Sequence, residues 1–206
     1  MSTIFLDRDG VINENRPGYV KNWSEFCFLP GSKEAIANLT KAGYRIVVCT
    51  NQAGVAKGII PIDTVEDIHR RMVAEIAEAG GRIERVYYCP HGKDENCSCR
   101  KPRPGMLLRA RDELGIDMND AIFIGDSISD MHAALAAGVH PILVLTGLGI
   151  EHLREYCHEA HGPIHIAVSL KHTAEMILQG LNVESSSISC SGLFGLPVLP
   201  QKLATQ

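Results

Sequence analysis

Short apolar runs alternate along the chain with longer stretches in which apolar residues recur every three or four positions. The runs Thr3 to Leu6, Tyr44 to Thr50, Val86 to Cys89, Ala121 to Gly125 and Pro141 to Leu145 predict strands, and a weaker one lies near His165 to Val168. The longer stretches predict helices. One runs from Ser32, taken as its cap, to a stop at Gly43, and another starts from a capping-box-like Asp63 and Glu66 and reaches Ala79 before Gly80 and Gly81. Pro104 to Leu114, Ser129 to Ala137 and Leu170 to Gln179 supply three more. Strand and helix in regular alternation predict a three-layer, Rossmann-like α/β fold around a mainly parallel sheet. A single catalytic domain is expected over residues 1–182. From Val183 the composition turns rich in Ser, Gly, Pro and Leu, so 183–206 is expected to be a tail, either disordered or docked through Leu193 to Leu199.

With 206 residues, 45% of them hydrophobic, the chain can bury a full core. No run approaches the roughly 18 to 20 apolar residues that cross a bilayer, and Met1 to Leu6 has no signal-peptide core, so a soluble, cytoplasmic protein without a membrane partner is expected. A net charge of -4 gives no general attraction for nucleic acid. An anionic small molecule must then be drawn in by local cations, and a monomer is expected.

Candidate chemistry gathers where strands end, which is where open α/β sheets bind ligands. Asp7 and Asp9 follow the first strand. A carboxylate approaches a phosphoester only if a cation offsets their repulsion, and Mg²⁺ held by few carboxylates and a phosphate suits that need. Asp7 is then the candidate nucleophile, and Asp9 the acid that protonates the leaving oxygen and the base that later activates water. An Asp-x-Asp alone more often decorates a loop. Its company changes the reading: Thr50, Asn51 and Gln52 end the second strong strand, Lys101 precedes a helix, and Asp126 and Asp130 follow the Ala121 to Gly125 run. Thr50 and the neighbouring amides suit phosphoryl oxygens, Lys101 offers fixed positive charge, Asp126 is a further Mg²⁺ ligand, and Asp130 supports it from behind or contacts Lys101.

These four segments resemble the signature motifs of the haloacid-dehalogenase (HAD) phosphatases over roughly residues 3–150. The closer resemblance is to the heptose 1,7-bisphosphate 7-phosphatases, a branch shared with histidinol phosphatases. It is carried by Asp7 to Asn13, Gly18 to Val20, Thr50 to Gly54, Cys89 to His91 and Cys97 to Met106. The resemblance implies Asp7 as nucleophile, Asp9 as acid/base, Asp7, Asp9 and Asp126 around Mg²⁺, and Thr50 and Lys101 steadying the phosphoryl group. It further implies substrate contacts from Asn15, Arg16, Gly18, Tyr19, Arg100, Asn51 and Ser127. The substrate implied is a sugar bisphosphate hydrolysed at C7, on a HAD fold with no large cap domain.

Seven cysteines form a poor disulfide framework, yet three of them crowd together. Cys89 and His91, then Cys97 and Cys99 after five residues, offer three thiolates and an imidazole, the set for a closed structural Zn²⁺ site. Such a metal would order the loop and fix Arg100 and Lys101 just downstream. Competing readings are a histidinol-phosphate phosphatase, a broader sugar-phosphate or nucleotide phosphatase, and a zinc-stabilised binding module without chemistry. The last is disfavoured because every acid and cation required for turnover is present.

Overall fold

A computed structural model describes residues 1–158, 164–180 and 187–188. Its centre is a sheet whose strands are β1 (Thr3–Leu6), β2 (Arg45–Asn51), β3 (Ile83–Cys89), β4 (Ala121–Gly125), β5 (His140–Val144), β6 (Ile164–Ala167) and β7 (Ser187–Ile188). They lie in the order β3-β2-β1-β4-β5-β6-β7, and every pairing is parallel except β6 with β7. The helices are α1 (Ser32–Lys41), α2 (Ile62–Glu78), α3 (Gly105–Leu114), α4 (Ile128–Ala137), α5 (Gly149–His158) and α6 (Leu170–Leu178).

Central strands read as unbroken apolar runs because both of their faces are covered. On β1, Ile4 and Leu6 enter one core, which also holds apolar residues of α1, α2 and α6, while Phe5 enters the opposite core with Leu107 of α3 and Ala134 of α4. The outermost strand on one side, β3, mixes buried Ile83, Tyr87 and Cys89 with exposed Glu84 and Arg85 instead, as an edge strand does. The last tail residues with described backbone, Ser187 and Ile188, extend the other edge; the remainder of the expected tail lies outside the described residues.

Strand order reverses direction between β1 and β4. The carboxyl ends of these two strands therefore flank the crevice where such sheets bind ligands. In-register pairing of Leu6 with Ile124 brings Asp7, the next residue after Leu6, and Asp126, two after Ile124, to the same edge.

Helix starts differ from the sequence expectations in instructive ways. The cap of α1 is Gly31; Ser32 donates its hydroxyl to the Ile12 carbonyl at 2.9 Å and pins the helix to the loop after β1. For α2, Pro61 occupies the cap position without a side-chain bond, and Glu66 accepts from the Tyr88 hydroxyl at 2.7 Å. The anticipated box at Asp63 and Glu66 thus gives way to a tie between α2 and β3. Helix α5 is absent from the sequence expectations, although Ile150, Leu153 and Tyr156 stand at helical spacing and Tyr156 is fully buried.

Candidate active site

Asp7, Asp126 and Asp130 place carboxylate oxygens within 4.8 Å of one another. Water is nearly excluded, with Asp7 9%, Asp126 3% and Asp130 0% exposed. One cation, Lys101, is buried among them, its Nζ 3.0 Å from Asp7 Oδ1, 2.6 Å from Asp130 Oδ1 and donating to the Cys49 carbonyl at 2.9 Å. Three buried negative charges against one positive leave an excess that low-dielectric surroundings amplify. The consequence appears in the acids themselves: burial, opposed by Lys101 and reinforced by Asp130 and Asp9, raises Asp7 to about 7. Burial and repulsion from Asp130 and Asp7 raise Asp126 to about 8. The charge excess and the oxygen-only donor set suit a small divalent cation.

The backbone is shaped around that cluster. Gly10, at φ 82°, and Gly147, at φ 59°, enclose Asp126 so closely that a Cβ on either would stand 2.0 or 2.1 Å from Asp126 Oδ2. The Leu148 N–H donates to that oxygen at 2.9 Å, and the Thr146 hydroxyl donates to the Gly10 carbonyl at 2.6 Å. On Asp7, the Arg8 N–H at 2.7 Å and Lys101 both engage Oδ1, which leaves Oδ2 without a hydrogen bond among the described residues. Asp130 has Lys101 on Oδ1, and its Oδ2 accepts from the Ser127 N–H and hydroxyl in a box that caps α4. Both of its oxygens are thus committed.

Asp9 stands apart from the three. Its carboxylate accepts from Arg8 Nη2 at 2.8 and 2.9 Å, from Asn13 Nδ2 at 2.9 Å and from Gln52 Nε2 at 2.9 Å. Burial pushes Asp9 upward, but the Arg8 charge and these hydrogen bonds outweigh it and hold the group below the usual carboxylate range. In this arrangement the Asp9 side chain faces Arg8 and Gln52 instead of joining Asp7 and Asp126.

Two amides expected near the phosphoryl group do other work here. Asn51 pairs through both side-chain atoms with the Lys101 backbone at 3.1 Å, and Gln52 bridges Asp9 and Thr50. A cavity of about 570 Å³ opens over the carboxylates, lined among others by Thr50, Asn15, Arg16, Tyr19, Arg100 and Ser127. Gly18 is exposed, and neither it nor Gln52 lines that cavity.

Beside it, Cys89, His91, Cys97 and Cys99 converge. Cys89 Sγ lies 3.2 Å from Cys99 Sγ and 3.6 Å from Cys97 Sγ, while His91 Nδ1 is 3.3 Å from Cys99 Sγ and 3.5 Å from Cys89 Sγ. Four soft donors with all ligand atoms within 4.8 Å of one another fit a tetrahedral Zn²⁺ closely. Arg100 donates to the His91 carbonyl at 3.1 Å, so the group that carries these donors also carries the wall of the cavity.

A HAD-hydrolase-like family model matches residues 98–173. The chain is 48% identical over 149 residues to the D-glycero-β-D-manno-heptose-1,7-bisphosphate 7-phosphatase of Pseudomonas putida, covering 72% of this chain and 85% of that one. Its identity to the Neisseria meningitidis protein of the same name is 37% over 179 residues, 87% of this chain and 96% of that one. The crystal structure of D,D-heptose 1,7-bisphosphate phosphatase from Bordetella bronchiseptica, complexed with magnesium and phosphate, superposes with a TM-score of 0.82 at 39% identity, covering 87% of this chain and 99% of that one. The chain belongs to this family of HAD phosphatases. It is accordingly a phosphoric monoester hydrolase, and within the described residues no large cap covers the HAD crevice.

For this HAD phosphatase, residues beyond those read from sequence also build the crevice. Arg8 is 1% exposed although it carries a full charge; it reaches Asp9 on one side and His69 Nε2, at 3.0 Å, on the other. A guanidinium only donates, so His69 accepts and stays neutral; burial and the Arg8 charge depress it to about 3. Thr146, Leu148 and His152 come from the β5–α5 connection and α5. The turn glycines before α5 were the available signal, since a third loop arriving at the same sheet edge belongs to the same crevice.

Proposed function

We propose that this phosphatase removes the C7 phosphate of D-glycero-β-D-manno-heptose 1,7-bisphosphate, in the synthesis of nucleotide-activated heptose for surface glycans. The observation that supports it most is the buried carboxylate cluster around Lys101, in a chain so similar along its length to phosphatases named for that substrate. Asp7, through Oδ2, attacks phosphorus and the leaving oxygen departs, giving an aspartyl-phosphate; water then cleaves it and regenerates the carboxylate. Lys101 and the Arg8 N–H hold Oδ1 so that Oδ2 faces the substrate. Asp9 protonates the leaving oxygen and then accepts the proton of the attacking water, after release from part of its present donor set. Thr50 steadies the phosphoryl oxygens, and Gln52 orients Thr50 and Asp9 together. Asp7 and Asp126 would hold Mg²⁺, which when bound neutralises the excess charge and polarises the phosphoryl oxygens.

Asn15, Arg16, Tyr19, Arg100 and Ser127 surround the space for the rest of the substrate, with Arg100 meeting the phosphate that is not hydrolysed. We assign the fold to one catalytic domain over residues 1–182, acting in the cytoplasm as a monomer; among the described residues no helix is long and apolar enough to cross a membrane. The deciding experiment compares kcat/KM, with Mg²⁺, on the two anomers of heptose 1,7-bisphosphate and on histidinol phosphate. We expect the β anomer to lead, and higher efficiency on histidinol phosphate overturns the substrate assignment.

The cysteine cluster is assigned to structural Zn²⁺. Elemental analysis of the purified protein is expected to return about one zinc per chain, and Cys99→Ser is expected to remove it. Because the loop carries Arg100 and Lys101, the variant should lose roughly tenfold or more in kcat/KM, as changes to metal ligands and their supports do. Full activity in a zinc-free variant would remove the loop from the catalytic argument.

A further inference from the structure

Asp9, the acid/base of the reading above, accepts hydrogen bonds from the side chains of Arg8, Asn13 and Gln52. Asn13 belongs to the loop after β1, where its Nδ2 also donates to the Glu14 carbonyl at 2.9 Å, and Gln52 is tied to Thr50 at the end of β2. Arg8 alone of the three is charged, and its Nη2 meets both carboxylate oxygens, at 2.9 and 2.8 Å. A charged donor shared by both oxygens is the strongest of these bonds. The place of Asp9 therefore depends most on what holds the Arg8 guanidinium.

That guanidinium is buried and has few ties. Its Cζ stands over the Phe26 ring, 6.0 Å from the centroid, and its Nε has no hydrogen-bond partner among the described residues. With Nη2 committed to Asp9, the anchor on the far side is the 3.0 Å bond from Nη1 to His69 Nε2. A guanidinium only donates, so the imidazole accepts. Burial and the Arg8 charge keep that ring neutral and able to accept. His69 comes from α2, is itself buried, and packs its ring on Tyr88 with 5.3 Å between centroids. No described residue of α2 lines the catalytic cavity. His69 can thus act on the chemistry only through Arg8.

We propose that His69 is a positioning residue which, through Arg8, sets where Asp9 stands when it delivers its proton to the leaving oxygen. In that step Asp7 Oδ2 bonds to phosphorus, the bond from phosphorus to the leaving oxygen breaks, and the Asp9 proton passes to that oxygen. A positioned acid contributes roughly 10² to 10⁴ in rate, and a misplacement of about 1 Å forfeits much of such a gain. An apolar side chain at position 69 leaves Nη1 buried without an acceptor. The guanidinium then turns to find one and carries the Asp9 carboxylate with it. This inference rests on the acid/base role given to Asp9 above and ties its geometry to a helix outside the cavity.

The test uses His69→Leu and His69→Gln, with kcat/KM measured on two substrates. Heptose 1,7-bisphosphate expels an alkoxide that needs a proton, whereas p-nitrophenyl phosphate expels a stable nitrophenolate that does not. Since kcat/KM ends at loss of the leaving group, it reports the acid step, and the ratio of the two does not depend on how much of a preparation is folded. His69→Leu should lower the sugar-to-aryl ratio by about tenfold to a hundredfold, part of the acid's full contribution. His69→Gln, which keeps an acceptor at similar reach, should hold the ratio within a few-fold of the parent. An unchanged ratio in His69→Leu, including an equal loss on both substrates, overturns the proposal and leaves His69 a packing residue. So does a fall in His69→Gln as deep as in His69→Leu. Asp9→Asn should lower the same ratio further still, and a ratio it leaves unchanged overturns the acid role of Asp9 together with this inference. If the parent hydrolyses another sugar phosphate in place of heptose bisphosphate, the substrate assignment alone fails, and the ratio taken on that sugar phosphate decides the role of His69.

Discussion

Asp7→Asn is expected to lose phosphate release by at least about 10⁴-fold while remaining folded, because an amide oxygen is a poor nucleophile and no neighbouring acid can take its place. Asp9 is the nearest substitute in sequence, and Arg8, Asn13 and Gln52 hold its carboxylate away from the cluster. The same variant should not be destabilised at pH 8 in metal-free buffer. Asp7 is raised from 3.8 to about 7 in the folded protein, so it binds a proton more tightly folded than unfolded. Its contribution to stability is present below the unfolded value and is lost as pH rises through about 7. Asparagine resembles the protonated form at every pH and removes one of three buried negative charges, so melting temperature at pH 8 should equal or exceed that of the parent. Retained turnover would sink the nucleophile assignment; a large drop in melting temperature at pH 8 would sink the electrostatic account of the cluster.

What was legible in the sequence follows from how strands end. Asp7, Thr50 and Asp126 each come at or just beyond the end of a run of apolar residues, and a parallel sheet carries such positions to one edge whatever the details of packing. Lys101 was legible through its place before α3 and its company. The zinc ligands were legible because their donor chemistry is unusual and their spacing is local. Arg8 was not, because a charged residue is expected at the surface unless its partners are known, and His69 lies far along the chain on α2. Asn51 and Gln52 were read as facing substrate, since a polar strand exit looks the same whether its amides meet a ligand or meet Lys101 and Asp9. Helix α5 was hidden by its glycine-rich entry: Gly147 is there to let the chain pass Asp126, and that need arises only in three dimensions.

Lys101→Met should damage folding and chemistry together, and a second substitution should separate the two. The ammonium is 2% exposed and meets Asp7, Asp130 and the Cys49 carbonyl, so methionine fills the space but leaves Asp130 fully buried without its cation. Breaking a buried ion pair by removing one partner costs about 3 to 5 kcal/mol, which thermal or urea unfolding would read directly. Catalysis loses the charge that holds Asp7 Oδ1 and offsets phosphoryl charge, a loss of roughly 10² to 10³ in kcat. Adding Asp130→Asn removes the stranded charge and keeps an oxygen to accept from Ser127. Stability should then recover in large part while turnover stays low. If the double variant does not recover stability, the damage comes from packing and not from charge. If Lys101→Met melts like the parent, the three carboxylates do not depend on Lys101 for their compensation, and the charge balance drawn for this crevice is wrong.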